Sequence, residues 1–598
     1  MGEQHTRSTL WLALLLALVV APAAQQRSID DFFRELTDEW VRMNPNLAVA
    51  TRHFTGAEQD RLEQQITSYA DAARRQRRDY IRRGLADLAM FDRARMTDAE
   101  RLSADLLRHQ LQAYLDREKF EAYEFPLDQF NGANISLVST LTVQHPLGTP
   151  RDASNYVIRL AQVAPRMAEA VAEARGRAAG DLIPPRFILD RTIMQMRRFV
   201  DMPAAQNPLV TSLNERASRI KELAPADRAA LVSRAQRLVS DAVYPEWKTA
   251  IAFLESLLPR SADNAGLWRF EGGAAAYAHF LKAYTTTSLT ADEIHEIGLR
   301  QVARLERDMD AVLRKLGRSS GTVNERIAQL RKDLSYPSTE DGRTRIMADI
   351  DVMIREAERR SSLLFDMRPK SPVVAQPYPR FSEANAAASY TAPPLDGSRP
   401  AIFQMPLRPD RMTKFTLRTL VHHETVPGHH FQIGLMVEDT SLPKFRQARL
   451  FGGISAITEG WALYAERLAA ESGWYADDPE GLLGQMESEL FRARRLVVDT
   501  GLHAKRWTRQ QAIDYGISPS EAERYVALPG QACSYMIGQL KILELRDRAK
   551  AQLKEEFSER AFHNTVLRVG AVPLEMLEQE VERYIRAARP AVKPGARP

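Results

Sequence analysis

Four of the twelve histidines fall within nine residues, as His422, His423, His429 and His430 in the segment VHHETVPGHHFQ. Imidazole is the commonest metal ligand among side chains and a ready proton carrier, so such density asks for a chemical reason. Glu424 follows His423 directly. In zinc hydrolases of the H-E-x-x-H pattern, two histidines one helical turn apart hold the ion, and the glutamate between them is the general base. This chain departs from that pattern: Pro427 stands where the second ligand belongs, and the next histidine comes two residues late. In an unbroken helix, six residues at about 100° each carry His429 well past the face of His423. Proline cannot donate the helical hydrogen bond and glycine accepts unusual torsions, so Pro427-Gly428 is where two residues loop out and return His429 to the ligand position. His430 is the competing choice. In regular helix it shares the face of His423 but lies about 10 Å further along the axis, too far for one ion.

A catalytic zinc that keeps an open position needs a third protein ligand. Glu459, in ISAITEGWALYAERLAA, is the next acid on a convincing helix, and its neighbours Ala456, Ile457, Ala462 and Leu463 are apolar. A carboxylate in such surroundings is costly unless paired or metal-bound. Glu466 lies two turns on along the same face, where it either orients a ligand histidine from behind or forms a surface ion pair. Further along, His503 in VVDTGLHAKRW and Tyr535 in LPGQACSYMIGQLKILELR are candidate donors to a developing oxyanion. Around Tyr535, Gly530, Ala532, Ser534 and Gly538 leave room for a backbone or a ligand to approach. Arg399 and Arg546 are weaker candidates to anchor a substrate carboxylate. Cys533 reads as a small core residue.

Most of the chain that must position these groups reads as helix. Thr290 and Glu293 form a capping box before a stripe of apolar residues that ends at Gly317. Similar stripes run through DAERLSADLLRHQLQAYL and PADRAALVSRAQRLVSDAV. The exception is Ser371 to Pro406, rich in Pro, Gly and Ser, where turn residues separate Tyr390 from the run Ile402 to Met405. That pattern predicts a hairpin or an edge strand beside the histidine helix.

The chain has 598 residues, with 44% hydrophobic and 27% charged, an ordinary balance for globular proteins that excludes disordered, collagen-like and multi-span membrane classes. Lys+Arg 82 against Asp+Glu 77 leaves +5, and no dense basic stripe marks a nucleic-acid surface. A single cysteine excludes internal disulfides and cysteine-rich zinc modules, so any metal is held by His and carboxylates. Arg7, the apolar run Leu10 to Val20 and Ala21-Pro22-Ala23 together read as a signal peptide over residues 1–23. No cysteine follows the run, so a lipid anchor is not expected at that point. The expectation is an exported protein, periplasmic or secreted, with no stable membrane insertion. Its mature body spans 24–588: a helical lobe over 24–370, the Pro/Gly-rich segment 371–406 and the metal-site helices 407–588. A disordered tail is expected over 589–598.

The blocks HHETVPGHHFQ, TEGWALYAE, DTGLHAKRW and LPGQACSYMIGQLKI, in this order, resemble the bacterial family known as domain of unknown function 885. Earlier segments, GGAAAYAHFLKAYTTTSLTADEIHEIGL and TAPPLDGSRPAIF, are similar in style and order, so the resemblance covers nearly all of the mature chain. It implies a mainly α fold, a large two-lobed helical shell around a central cleft, similar to gluzincin metallopeptidases of the carboxypeptidase Taq and angiotensin-converting types. Carried over by position, it implies His423, His429 and Glu459 as ligands of Zn2+, Glu424 as the base, and His503 and Tyr535 as oxyanion donors. Tyr390 to Met405 becomes an edge along which a peptide lies extended. The function expected is thus zinc-dependent cleavage of short peptides, with a peptide substrate as the only partner indicated. A non-haem iron enzyme and a non-catalytic peptide-binding shell are the alternatives.

Overall fold

A computed structural model describes residues 27–378, 380–383 and 387–589. The expected signal peptide and the expected tail from residue 590 onward lie outside the described residues. The fold is mainly α, with one small sheet.

Helix α1 (Ile29–Met43) starts at Ser28, whose side chain accepts from the Asp31 N–H. Helix α2 (Asp98–Arg117) opens on a Thr97–Glu100 capping box. Helix α3 (Ala291–Lys315) opens on the Thr290–Glu293 box the sequence predicts, and Gly317 beyond its end takes φ 75°. The sheet follows, from strands β1 (Val373–Pro377), β2 (Ser389–Thr391) and β3 (Ala401–Met405). The site helices come after it: α4 (Lys414–Glu424), α5 (His429–Glu438), α6 (Ser455–Glu471), α7 (Pro479–His503) and α8 (Ser534–Leu553).

The sheet order is β1-β3-β2, with β1 parallel and β2 antiparallel to β3. The β2–β3 pairing is the one expected, but β3 lies in the middle and not at an edge. Its alternating residues Ala401, Phe403 and Met405 are buried over Ile346, Ile350, Leu417 and Val421. Both hydrogen-bonding edges of β3 are taken over Ile402–Gln404, so within the expected Tyr390–Met405 edge segment it is β2, at the outside of the sheet, that is an edge strand.

The apolar cores join stretches far apart in the chain. One core runs from Phe32, Phe33 and Trp40 of α1 through Leu107 and Leu111 of α2 to the site helices and on to Ile585. A second is built wholly between Ile66 and Leu257, around Tyr156 and Trp247. The physical reason is amphipathicity: α1 and α2 have one apolar stripe each and bury it against the C-terminal helices.

Candidate functional site

The histidine segment does break its helix. Helix α4 ends at Glu424, residues 425–428 form turns, and α5 begins at His429. The Val426–Pro427 peptide is cis, and the Pro427 carbonyl accepts from Trp461 Nε1 at 2.9 Å. Gly428 is obligatory here, since a Cβ would lie 2.0 Å from the His423 carbonyl oxygen and 2.4 Å from that of His422. The interruption turns His429 back toward His423, with ring centroids 4.8 Å apart.

Helix α6 delivers Glu459 between them. Its Oε2 stands 3.4 Å from His423 Nε2 and 3.4 Å from His429 Nε2. Donor atoms of these three residues all lie within 4.8 Å of one another, a spacing that one metal ion could satisfy. Helix α6 can sit where it does because its backbone touches that of α8. A Cβ on Gly460 would meet Gly538, and one on Gly538 would meet the Ala456 carbonyl at 1.8 Å. The small residues around Tyr535 thus admit, at Gly538, a neighbouring backbone.

Behind the cluster, Glu466 is fully buried. Its Oε1 accepts from His423 Nδ1–H at 2.7 Å and its Oε2 from the Thr419 hydroxyl at 3.0 Å. Of its two sequence readings, the orienting one is what the geometry has. Burial alone would pull His423 down, but Glu459 and Glu466 outweigh it and push the imidazole up to about 9. Burial would raise Glu459, yet His429 and His423 hold it well below the usual carboxylate range. Glu424, 6% exposed, goes the other way: burial pushes it up, and His429 and His423 only partly offset that.

The other two histidines of the segment are not in the cluster. His422 Nδ1 meets the Tyr475 hydroxyl at 3.0 Å, and His430 Nδ1 meets the Tyr390 hydroxyl at 3.2 Å. Burial lowers them to about 3 and about 4, so both stay neutral. Tyr535 is beside the cluster, its ring 6.4 Å from that of His423 and nearly parallel. His503 is not brought to it. Its Nδ1 accepts from the Leu267 N–H at 3.1 Å and its Nε2–H donates to the Tyr525 carbonyl at 3.0 Å. A histidine 1% exposed with both nitrogens held by backbone has nothing left for an oxyanion, so the expected role of His503 is corrected to a structural one. Arg546 is likewise committed, to Glu471 at 2.7 Å and Tyr464 at 3.3 Å. Cys533 is fully buried, as expected.

Several residues escaped the sequence reading. On α7, Ser488, Arg492, Arg495 and Asp499 recur at helical spacing and form a polar face toward the site. Arg492 lies 3.9 Å from Glu466, and Arg495 sits over the Tyr535 ring at 4.4 Å. Asp499 accepts from the Tyr277 hydroxyl at 2.6 Å and from the Gly530 N–H at 3.0 Å, which fixes the turn leading to Tyr535. The spacing of these residues was visible, but not that Arg495 and Asp499 are buried.

The class is therefore a mainly α protein that buries a His/His/Glu cluster at a broken helix. Residues 50–581 match the family described as "Bacterial protein of unknown function (DUF885)", and the chain belongs to that family. It is similar to the crystal structure of a "putative lipoprotein" from Colwellia psychrerythraea, with a TM-score of 0.88 and 30% identity over 94% of this chain and 99% of that one. A "putative lipoprotein of unknown function" from Shewanella oneidensis shares the fold at a TM-score of 0.67 and 19% identity, covering 92% of this chain and 99% of that one. No curated protein matches the chain.

Proposed function

We propose that this protein is an exported zinc-dependent hydrolase that cleaves peptide bonds of short peptides, with His423, His429 and Glu459 as metal ligands and Glu424 as general base. One observation carries the reading. Corners of a tetrahedral zinc site with bonds of about 2.0–2.1 Å lie roughly 3.4 Å apart, and Glu459 Oε2 stands at 3.4 Å from both Nε2 atoms. The Glu466 bond to His423 Nδ1 is the second support, because metal-bound imidazoles are oriented in this way from behind. Kinship with the gluzincin peptidases is carried by none of the comparisons, so the proposal rests on the cluster.

A bound zinc supplies Lewis acidity toward the scissile carbonyl and toward a water molecule. Glu424 takes the proton from that water as its oxygen joins the carbonyl carbon, and returns it to the amine as the C–N bond breaks. The products are a carboxylate and an amine. Tyr535, whose ring stacks 6.4 Å from that of His423, is the candidate donor to the oxyanion. Export is supported by the apolar N-terminal run and by the lipoprotein description of the neighbours. Among the described residues, no helix is long and apolar enough to cross a membrane.

Elemental analysis of the purified protein tests the proposal, with wild type beside His429→Ala, His430→Ala and Glu459→Ala. The expected result is about one zinc per chain, lost with His429 and Glu459 and kept with His430. Stoichiometric iron would move the chemistry to oxidation. No metal in any variant after zinc is added back would end the reading.

A further inference from the structure

Arg495 of α7 is a buried cation with a donor to spare. It is 6% exposed, and two of its nitrogens have partners: Nε donates to the Tyr525 hydroxyl at 3.2 Å and Nη2 to Glu521 at 3.3 Å. Glu521 also accepts from Arg524 at 3.0 Å, so two guanidiniums share one carboxylate. The third nitrogen of Arg495, Nη1, is buried and has no hydrogen-bond partner among the described residues. An orphaned N–H on a buried cation is costly unless something else completes it. What lies against this guanidinium is a pair of rings, Phe491 and Tyr535, with centroids 4.3 Å and 4.4 Å from its central carbon. Both stand well within reach of a cation over an aromatic face.

The Tyr535 ring in turn stands beside the cluster, 6.4 Å from the ring of His423 and within 15° of parallel to it. Tyr535 is half-buried, and among the described residues its hydroxyl makes no hydrogen bond. One face of α7 sets its position twice. Asp499 accepts from the Gly530 N–H and so fixes the backbone that enters α8, while Arg495, one turn earlier, holds the ring. The frame around this entry is firm. Ser534 at the start of α8 and Ser455 at the start of α6 are joined through their hydroxyls at 2.8 Å. The turn before α6 is pinned by Trp40 of α1 and Gln110 of α2, which donate to the Leu450 and Gly452 carbonyls at 2.8 Å each. A tyrosine held by its backbone and its ring face keeps its O–H for another acceptor; one held through its hydroxyl would have spent that donor.

Resting on the hydrolase reading, we infer that Arg495 is a positioning residue: its guanidinium clamps the Tyr535 ring beside the His423/His429/Glu459 cluster with the hydroxyl unspent, so that Tyr535 is a preorganised donor to the oxygen of a tetrahedral species at the metal position. The clamp favours the transition state over the substrate, because a donor aimed at an oxyanion gains strength as the charge develops. A loose phenol would have to give up its rotamer freedom in that step, and the clamp removes that cost beforehand.

The test reads binding of a tetrahedral probe, so it does not depend on turnover. Zinc-loaded protein is titrated by calorimetry with the phosphinic analogue of dialanine, in which a phosphinate and a methylene replace the peptide bond. Tyr535→Phe should weaken binding about tenfold to a hundredfold, the loss of a hydrogen bond to a charged group. Arg495→Met should weaken it about threefold to thirtyfold, the range of a desolvated cation over a ring. Added to Tyr535→Phe, Arg495→Met should cost no more than about twofold further, because it acts through the missing hydroxyl. Arg495→Lys, which keeps a cation at the ring, should recover part of the loss. On a peptide that the wild type cleaves, Arg495→Met should lower kcat and leave KM within about twofold. Melting curves and zinc content on each variant separate a lost clamp from a lost fold or a lost metal. If Arg495→Met does not fold, Arg495→Gln, which keeps a donor without the cation, carries the same expectation. Wild-type affinity in the Arg495 variant, the same loss with and without the Tyr535 hydroxyl, or no binding to the zinc-loaded wild type would overturn the inference. If the cycle holds while wild-type protein cleaves no peptide, the hydrolase reading fails and the clamp stands.

Discussion

Two histidines of this molecule are buried beside charged groups and end in opposite states. His145, in the second core, is 1% exposed; its Nε2–H donates to the Asp152 carbonyl at 2.8 Å and its Nδ1 accepts from Arg159 at 3.0 Å. Burial, with the Arg159 cation beside it, lowers it to about 3. His423 is 3% exposed, and Glu459 and Glu466 overcome its burial to push it up to about 9. Burial is equal in the two places, so the sign of the neighbouring charge decides. The second difference is geometric. Around His145 every polar group points at a different partner, and Arg159 also reaches the Gln65 carbonyl and Asn46. Around His423 the donor atoms of three residues come within 4.8 Å of one another. Convergence, more than burial or the residue type, separates a site from a satisfied core.

That contrast can be broken in four places. Glu424→Gln should lower kcat on a cleaved peptide by about 10²–10⁴-fold with zinc content unchanged; a rate within threefold of wild type would remove Glu424 as the base. Glu466→Gln should weaken zinc affinity by about 10–100-fold in a chelator competition, because His423 loses its orienting partner. Arg159→Met is the matched change in the other region. It should cost about 1–3 kcal/mol of stability by denaturant unfolding, through the polar groups left unpaired, and leave zinc affinity alone. Loss of metal in that variant would mean the two regions are coupled.

The smallest effect concerns Asp499, whose burial raises its carboxyl from 3.8 to about 7. The folded protein then keeps a proton that the unfolded chain releases, so this residue makes stability fall as pH rises between about 4 and 7, with no further change above. Asp499→Asn should give a flatter dependence of Tm on pH across that window. An unchanged slope would show that the carboxyl ionises normally in the fold.

Much of the site was legible because its signals are local. Four histidines, an adjacent glutamate and a Pro-Gly step lie in nine residues, and Glu459 stands out as an acid among apolar neighbours. The helices around them follow from apolar periodicity and capping boxes such as Thr290–Glu293. What escaped was tertiary. His503 and Tyr535 both lie on helices near small or apolar residues, and only packing decides that one meets backbone and the other the cluster. Strand β1 had no hairpin signal, since it pairs with β3 in parallel across a connection.

The bonds from Trp40 and Gln110 to the turn at Leu450 and Gly452 join residues 410 and 342 positions apart in the chain. A ribosome has therefore long released the first helices before their partners exist. The nascent polypeptide cannot fix the turn before α6 until more than two thirds of it has been made. Its N-terminal helices must wait with their apolar stripes unburied, which is a reason for a chaperone to attend them. The same delay means that no truncated or half-synthesised product can carry the finished His423/His429/Glu459 cluster.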